Sequence, residues 1–97
     1  MTNRDIGIVR MHYRFEGRVQ HVGFRFTAQQ SAVRRGLTGF VRNEDDGSVT
    51  MEVQGAAAEI AAMYGDFAEN RWIRIDAANP RKQKPISGER GFRIVGN

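Results

Sequence analysis

The chain contains no cysteine, and this absence excludes several classes of site at once. Without thiolates there are no disulfides, no zinc–thiolate centres, no iron–sulfur clusters and no thiol nucleophile. No apolar run approaches the roughly 20 residues that span a bilayer. The first residues, Met1 to Asp5, also lack the apolar stretch of a signal peptide. We therefore expect a soluble protein of the cytoplasm that makes no contact with a membrane.

The composition that remains is ordinary for one globular unit. Of the 97 residues, 40% are hydrophobic and 27% are charged, so we expect a single domain over residues 1–97. The formal net charge of +4 favours an anionic partner, such as nucleic acid, acidic lipid or a phosphorylated small molecule. The arginines are spread along the chain among acidic residues. Only Arg81 to Lys84 resembles a basic patch, and we interpret it as a solvated loop.

Hydrophobic periodicity predicts strands and helices over most of the chain. Ile8 to Glu16 alternates between apolar and polar residues, as a half-buried strand does. Asp46-Gly47 predicts a tight turn between two further strands. Ile60, Met63, Tyr64 and Phe67 form a helical stripe that we assign to the core, together with Trp72. The predicted elements are strands at 8–16, 37–43, 49–53, 72–75 and 92–95, helices at 24–35 and 56–69, and a polar loop at 79–89.

This order, β-α-β-β-α-β with a short terminal strand, limits the possible folds. Two helices cannot cover both faces of such a sheet. We therefore predict an α+β, ferredoxin-like sandwich, in which both helices pack on one face of a mainly antiparallel sheet of four to five strands. Because this architecture carries many functions, the function has to be argued from a site.

Several kinds of chemistry lack support in the sequence. No glycine-rich segment has the P-loop spacing, so hydrolysis of nucleoside triphosphates is not indicated. His12 and His21 lack the spacing and the carboxylate partners of a zinc site. No Ser-His-Asp arrangement is suggested by spacing, although such a triad can be dispersed. We predict no metal and no cofactor.

The most unusual feature is the junction from Gly17 to Arg25, where a glycine-flanked loop leads into a helix. Backbone N–H groups at such a junction can converge on an anion, phosphate above all. Arg25 lies in the first helical turn, where its charge opposes the helix dipole by about 0.3–1 kcal/mol. A bound anion would offset that cost. The alternative is a turn with an incidental surface arginine.

A second feature is Asn43, at the end of a predicted strand. Asparagine is uncommon in strands. Its amide can initiate the following turn through a hydrogen bond to the backbone. Alternatively, the amide can hold a water molecule, because it both donates and accepts hydrogen bonds. The residue alone leaves the two interpretations open.

Both features resemble signatures of one family. Gly17-Arg18-Val19-Gln20-His21-Val22-Gly23-Phe24-Arg25 is similar to the acylphosphatase pattern G-x-V-Q-G-V-x-[FY]-R. Gly39-Phe40-Val41-Arg42-Asn43-Glu44-Asp45-Asp46-Gly47 is similar to the second pattern, G-[FYW]-V-[RKQ]-N-x-x-D-G. The order of the two patterns and the spacing between them also match. The resemblance covers about residues 8 to 95.

The resemblance implies an enzyme that hydrolyses acyl phosphates to carboxylate and inorganic phosphate without a metal or cofactor. We expect it to be a monomer. It implies that Arg25 binds the phosphoryl group and that Asn43 positions the attacking water. The phosphate cradle would be formed by the backbone amides of Gly17, Arg18, Val19, Gln20, His21, Val22 and Gly23.

His21 departs from the pattern, because it stands where the family has glycine. If this position has a positive φ, the side chain costs about 1 kcal/mol or more, although histidine is among the residues found there. One interpretation is a tolerated variant with altered activity. The other is a pH-dependent phosphate contact, since histidine titrates near neutrality.

Besides hydrolysis of acyl phosphates, the sequence leaves two other functions open. The charge of +4 is compatible with a nucleic-acid-binding module. However, the open-face positions Ile8, Arg10, His12 and Arg14 offer no aromatic residue on which a base could stack, so nucleic acid is not the partner we expect. The other possibility is a catalytically weak domain that only binds acyl or carbamoyl phosphates.

Overall fold

The computed structural model describes residues 7–96 of the chain. The predicted α+β class and the order of the elements are confirmed, and one strand was missed. The helices and strands are β1 (Ile8–Arg18), α1 (Phe24–Arg34), β2 (Thr38–Asn43), β3 (Val49–Ala56), α2 (Ala57–Glu69), β4 (Arg74–Ala77), β5 (Arg81–Gln83) and β6 (Phe92–Val95).

The strands form one mixed sheet with the order β4-β1-β3-β2-β6, and β5 also pairs with β1. The β2–β6 pair is parallel, whereas the pairs of β1 with β3, β4 and β5 and of β2 with β3 are antiparallel. Both helices pack on the same face, because their buried side chains join one core cluster with side chains of β1 and β3. This cluster includes Tyr13, Phe15, Phe24, Ala28, Met51, Val53, Ile60, Met63 and Phe67.

The predicted loop over 79–89 is wrong for residues 81–83, which form β5. Strand β5 pairs with residues 10–12 of β1, while β4 pairs with residues 16–18 along the same edge. Pro80 interrupts this edge, because proline has no N–H to donate. Asn79 beside it has a φ of 49°. The three residues of β5 show no apolar alternation, and they join the sheet by pairing with β1.

The predicted open face of β1 is covered at Arg10, which is only 2% exposed. Its guanidinium donates hydrogen bonds to Glu52 at 3.0 Å, Gln54 at 3.2 Å and Glu89 at 2.7 Å. Thr38 donates a further hydrogen bond to Glu89. A buried guanidinium requires such paired carboxylates. The segment that carries Glu89 therefore covers this part of the face.

The core assignments were right for Ile60, Met63 and Phe67, which are buried, and wrong for Tyr64 and Trp72. Trp72 is 57% exposed. It lies in a turn before β4, where its backbone N–H donates to the side-chain oxygen of Asn70 at 2.9 Å. Asparagine favours such turns. The strand therefore begins two residues later than predicted, at Arg74.

One carboxylate joins the two helices. Asp66 of α2 accepts hydrogen bonds from Ser31, Arg34 and Arg35 at the end of α1. The Asp66 side chain is only 12% exposed. The hydrogen bonds from Arg35 and then Ser31 lower the pKa of Asp66 from 3.8 to about 2. This ionised side chain therefore stabilises the packing of α1 against α2.

We expect Asp66→Asn to lower the free energy of unfolding by about 1–3 kcal/mol at pH 7, because it weakens charge-assisted hydrogen bonds. The folded-state pKa of Asp66 lies below its ordinary value. Its contribution is therefore complete above about pH 4 and is lost as the pH falls towards about 2. Urea unfolding at pH 7, 4 and 2.5 measures this.

The difference in stability between the wild type and Asp66→Asn should shrink over the same range. Asp76→Asn is the matched control, since Asp76 pairs with Arg74 at an exposed site. Exposed pairs contribute little, so the control should change stability by less than about 1 kcal/mol. A difference for Asp66→Asn that stays constant down to pH 2.5 would contradict the assignment.

Candidate active site

A cavity of about 220 Å³ opens where α1 begins. Three separate segments meet there: the β1–α1 junction, the end of β2 and the strand β6. Arg25 and Asn43, which the sequence analysis selected, both line it. The full lining consists of Val19, His21, Gly23, Phe24, Arg25, Phe26, Asn43 and Ile94.

The loop before α1 is shorter than predicted, because Gly17 and Arg18 belong to β1. They pair with Ile75 and Arg74 of β4 and do not line the cavity. Gly17 has a φ of 125°, and a Cβ atom built there would lie 2.3 Å from the carbonyl oxygen of Arg74. The close approach of β4 therefore explains this glycine. The loop itself runs from residue 19 to residue 23.

Alternate residues of this loop face in different directions. Val19, His21 and Gly23 line the cavity. Gln20 instead donates from Nε2 to the carbonyl oxygens of Glu44 at 2.7 Å and Ser48 at 2.9 Å. Val22 packs against the hydrophobic core. Gln20 therefore joins the loop to the turn that follows β2.

The loop backbone takes up left-handed conformations at two positions. His21 has a φ of 62° and Gly23 has a φ of 80°. Only glycine adopts such angles freely, so the histidine is strained by about 1–2 kcal/mol. The positive φ that the sequence analysis considered for His21 is therefore present. The His21 side chain is exposed at the edge of the cavity.

The N-terminus of α1 carries no competing negative charge. Gly23 precedes the helix without a side-chain cap, and the first turn contains no acidic residue. The first hydrogen bond within the helix is donated by Thr27 to the carbonyl of Gly23 at 2.9 Å. The backbone N–H groups before Thr27 have no carbonyl partner within the helix. This end of the helix is electrostatically suited to an anion.

Arg25 is half-buried in the first turn of α1. Asn43 is the last residue of β2 and pairs with Val49 of β3. Its Oδ1 atom is buried and accepts no hydrogen bond from any of residues 7–96. Buried polar atoms are nearly always satisfied, so such an acceptor at a cavity requires an explanation.

The turn that follows β2 is stabilised by the carboxylate of one of its residues, Asp46. Asp46 accepts hydrogen bonds from the hydroxyl of Ser48 at 2.6 Å and from the backbone N–H of Ser48 at 2.9 Å. These hydrogen bonds and that from Arg14 lower the pKa of Asp46 to about 2. The carbonyl groups that anchor Gln20 therefore belong to an ordered turn.

Sequence reasoning missed two lining residues, Phe26 and Ile94. Phe26 follows Arg25 directly, and its large apolar side chain in the first helical turn was a usable signal. Ile94 gave no signal, because β6 reaches the cavity only through its parallel pairing with β2. Among residues 7–96, no three His, Asp or Glu side chains lie close enough together to hold a metal ion.

The family model described as acylphosphatase matches residues 11–94. This chain belongs to the acylphosphatase family. An acylphosphatase of Geobacillus kaustophilus is 61% identical over 87 residues, which cover 89% of this chain and 93% of that protein. Hydrolysis of acyl phosphates is therefore the activity of this chain, with an acyl phosphate as substrate and inorganic phosphate as product.

Solved structures of the same family share the fold. The crystal structure of the acylphosphatase from Bacillus subtilis superposes with a TM-score of 0.82 at 27% identity, covering 91% of this chain and 99% of that one. Full-length HypF, solved in a phosphate- and nucleotide-bound form, contains a similar region. Its TM-score is 0.79 at 30% identity, over 92% of this chain and 12% of HypF. In the part of the chain that is described, neither helix is long and apolar enough to cross a membrane.

Proposed function

We propose that Arg25 and the backbone amides of residues 19–23 bind the phosphoryl group of an acyl phosphate, and that Asn43 orients the attacking water. One observation carries this proposal: Arg25 and Asn43, from α1 and β2, line a single cavity at an uncapped helix N-terminus. The positive φ angles of His21 and Gly23 support it further, because such angles turn neighbouring N–H groups towards a common centre.

The buried Oδ1 of Asn43 supports the second role. In the reaction, the oxygen of a water attacks phosphorus, and the bond between phosphorus and the acyl oxygen breaks. The Oδ1 of Asn43 accepts a hydrogen bond from this water and so directs its lone pair at phosphorus. An amide is too weakly basic to remove the proton. The proton passes to a phosphate oxygen, and the carboxylate leaves.

This chemistry needs few functional groups. A carboxylate is a good leaving group and requires no general acid. Phosphoryl transfer depends mainly on positioning and on stabilising charge at the equatorial oxygens. Arg25 and the loop amides supply that stabilisation in a preorganised site.

We also propose that residues 1–97 act as one monomeric domain in the cytoplasm, with no nucleic-acid partner. The family model supports the single domain, since it spans residues 11–94. The carboxylates of Glu52 and Glu89 on the sheet face opposite the helices support the last point. They pair with Arg10, so this guanidinium is not available to the phosphates of a nucleic acid.

We expect turnover of acetyl phosphate or benzoyl phosphate to be the same with and without a chelator, because the proposed site uses no metal. Steady-state release of phosphate after extensive dialysis against the chelator measures this. Loss of activity that added metal restores would contradict the metal-free mechanism. Well-folded protein without any turnover would instead favour a domain that only binds acyl or carbamoyl phosphates.

Two variants should separate binding from water positioning. Arg25→Gln should lower both phosphate affinity and kcat/KM by at least about 100-fold, since it removes a charged contact to the phosphoryl group. Asn43→Ala should lower kcat by a similar factor and phosphate affinity by no more than a few-fold. An interaction made mainly in the transition state appears in kcat. Competitive inhibition by inorganic phosphate gives the affinities.

Arg90→Gln is the matched control for charge, since Arg90 is exposed and does not line the cavity. It removes one positive charge and should leave both constants within about twofold of the wild type, because distant exposed charges are screened. Near-normal turnover in Arg25→Gln would overturn the role of Arg25. An equal fall of phosphate affinity and turnover in Asn43→Ala would make Asn43 a binding or structural residue.

We expect His21→Gly to raise kcat/KM for a small acyl phosphate by about fivefold, because it relieves backbone strain and clears the edge of the cradle. The wild type and the variant should share one pH profile. The control is His12→Gln, which removes the other histidine, on β1 and outside the cavity lining.

The pH profile of kcat/KM decides between the two interpretations of His21. If its imidazolium bound the phosphoryl group, the activity of the wild type would fall as the pH rises from acidic to alkaline. His21→Gly would then show no such pH dependence, whereas His12→Gln would keep it. A glycine variant that is slower at every pH would make His21 a working member of the cradle.

A further inference from the structure

Two exposed apolar side chains border the proposed phosphate site. Phe26 is 61% exposed and Ile94 is 39% exposed. Single exposed apolar residues are common on protein surfaces and require no explanation. These two residues differ because both line the cavity that contains Arg25 and Asn43. Their convergence on one site therefore has to be explained.

The two residues come from elements that meet only in the folded chain. Phe26 directly follows Arg25 in the first turn of α1, and both residues line the cavity. Ile94 lies on β6, where its Cα partner across the parallel pair is Val41 of β2. The apolar part of the lining is thus assembled from a helix and a strand, next to the polar part.

The size of the cavity leaves room for more than a phosphoryl group. Its volume is about 220 Å³. One water molecule takes roughly 30 Å³ in the liquid, and a phosphoryl group has only four heavy atoms. Ligand sites commonly combine an apolar lining with a few oriented polar groups. An acyl phosphate has the matching construction, an anionic head joined to a carbon substituent.

We propose that Phe26 and Ile94 form the binding surface for the acyl group, so that these two residues set the preference for bulky apolar and aromatic acyl groups over acetyl. This inference rests on the proposed function, since the phosphoryl group must lie against Arg25 for the acyl group to reach Phe26. Residues 25 and 26 then act on the two halves of one substrate. Contact with an aromatic acyl group removes the ring of Phe26 from water.

The test compares kcat/KM for benzoyl phosphate and acetyl phosphate. We expect Phe26→Ala to lower the benzoyl-to-acetyl ratio about tenfold, because the larger substrate loses more apolar contact. Phe26→Leu should lower this ratio less, since it keeps an apolar side chain. Ile94→Ala should act in the same direction by about threefold, because fewer atoms are removed. Phe26 is exposed, so its variants remain folded.

Val33→Ala is the matched control. Val33 lies on the same helix and is exposed, but it does not line this cavity. The control should keep the wild-type ratio. A ratio that stays unchanged in both Phe26→Ala and Ile94→Ala would overturn the inference. So would a ratio that changes equally in Val33→Ala.

Arg25→Gln distinguishes this failure from failure of the proposed function. If Arg25→Gln loses activity on both substrates while Phe26→Ala keeps the wild-type ratio, the phosphate site is correct and the acyl-binding surface is wrong. If Arg25→Gln hydrolyses both substrates normally, the proposed function itself fails, and the inference fails with it. Inorganic phosphate provides a second readout. It has no acyl group, so Phe26→Ala should weaken its inhibition less than it lowers kcat/KM for benzoyl phosphate.

Discussion

The site depends on the register of β3 between its two neighbours. Val49 pairs with Phe15 of β1 on one side and with Asn43 of β2 on the other, and it is fully buried. A slip of one residue would turn every side chain of the strand to the opposite face. The hydrophobic side chains of β3 prevent this. The end of β2 is thereby held beside the point where β1 leads into the loop of residues 19–23.

Hydrogen bonds then convert this register into a defined cavity. Gln20 donates to two carbonyl groups of the turn after β2, and these two hydrogen bonds hold the loop against the turn. Asp46 orders the same turn through Ser48. The proposed reaction, which relies on positioning without a general acid or base, would require such a scaffold. The strain at His21 is carried by this well-anchored loop.

The cavity divides into a polar part and an apolar part. Arg25, Asn43 and the helix N-terminus form the first, and Phe26 and Ile94 form the second. Adjacent residues of α1 contribute to both parts, so one short segment relates the charge-binding group to the apolar surface. In the proposed function, this arrangement would connect phosphate binding with recognition of the acyl substituent.

The sequence alone determined the parts that depend on local pattern. Alternation in β1, the helical stripe of α2 and the Asp46-Gly47 turn predicted the element order and the class of fold. Two motifs identified the family and selected Arg25 and Asn43, whose residue types alone left simpler interpretations open. Such signals lie within a few residues of one another, so a single chain displays them without any tertiary information.

Only the tertiary structure decided the features that depend on distant partners. Strand β5 shows no apolar pattern and joins the sheet by pairing with β1, and Arg10 donates to Glu89, a residue 79 positions away. Trp72 was assigned to the core by its type and is exposed by a turn at Asn70. Ile94 reaches the cavity through the β2–β6 pairing. Burial and contact are properties of the packed chain, because they depend on which segments meet, and local periodicity carries no record of that.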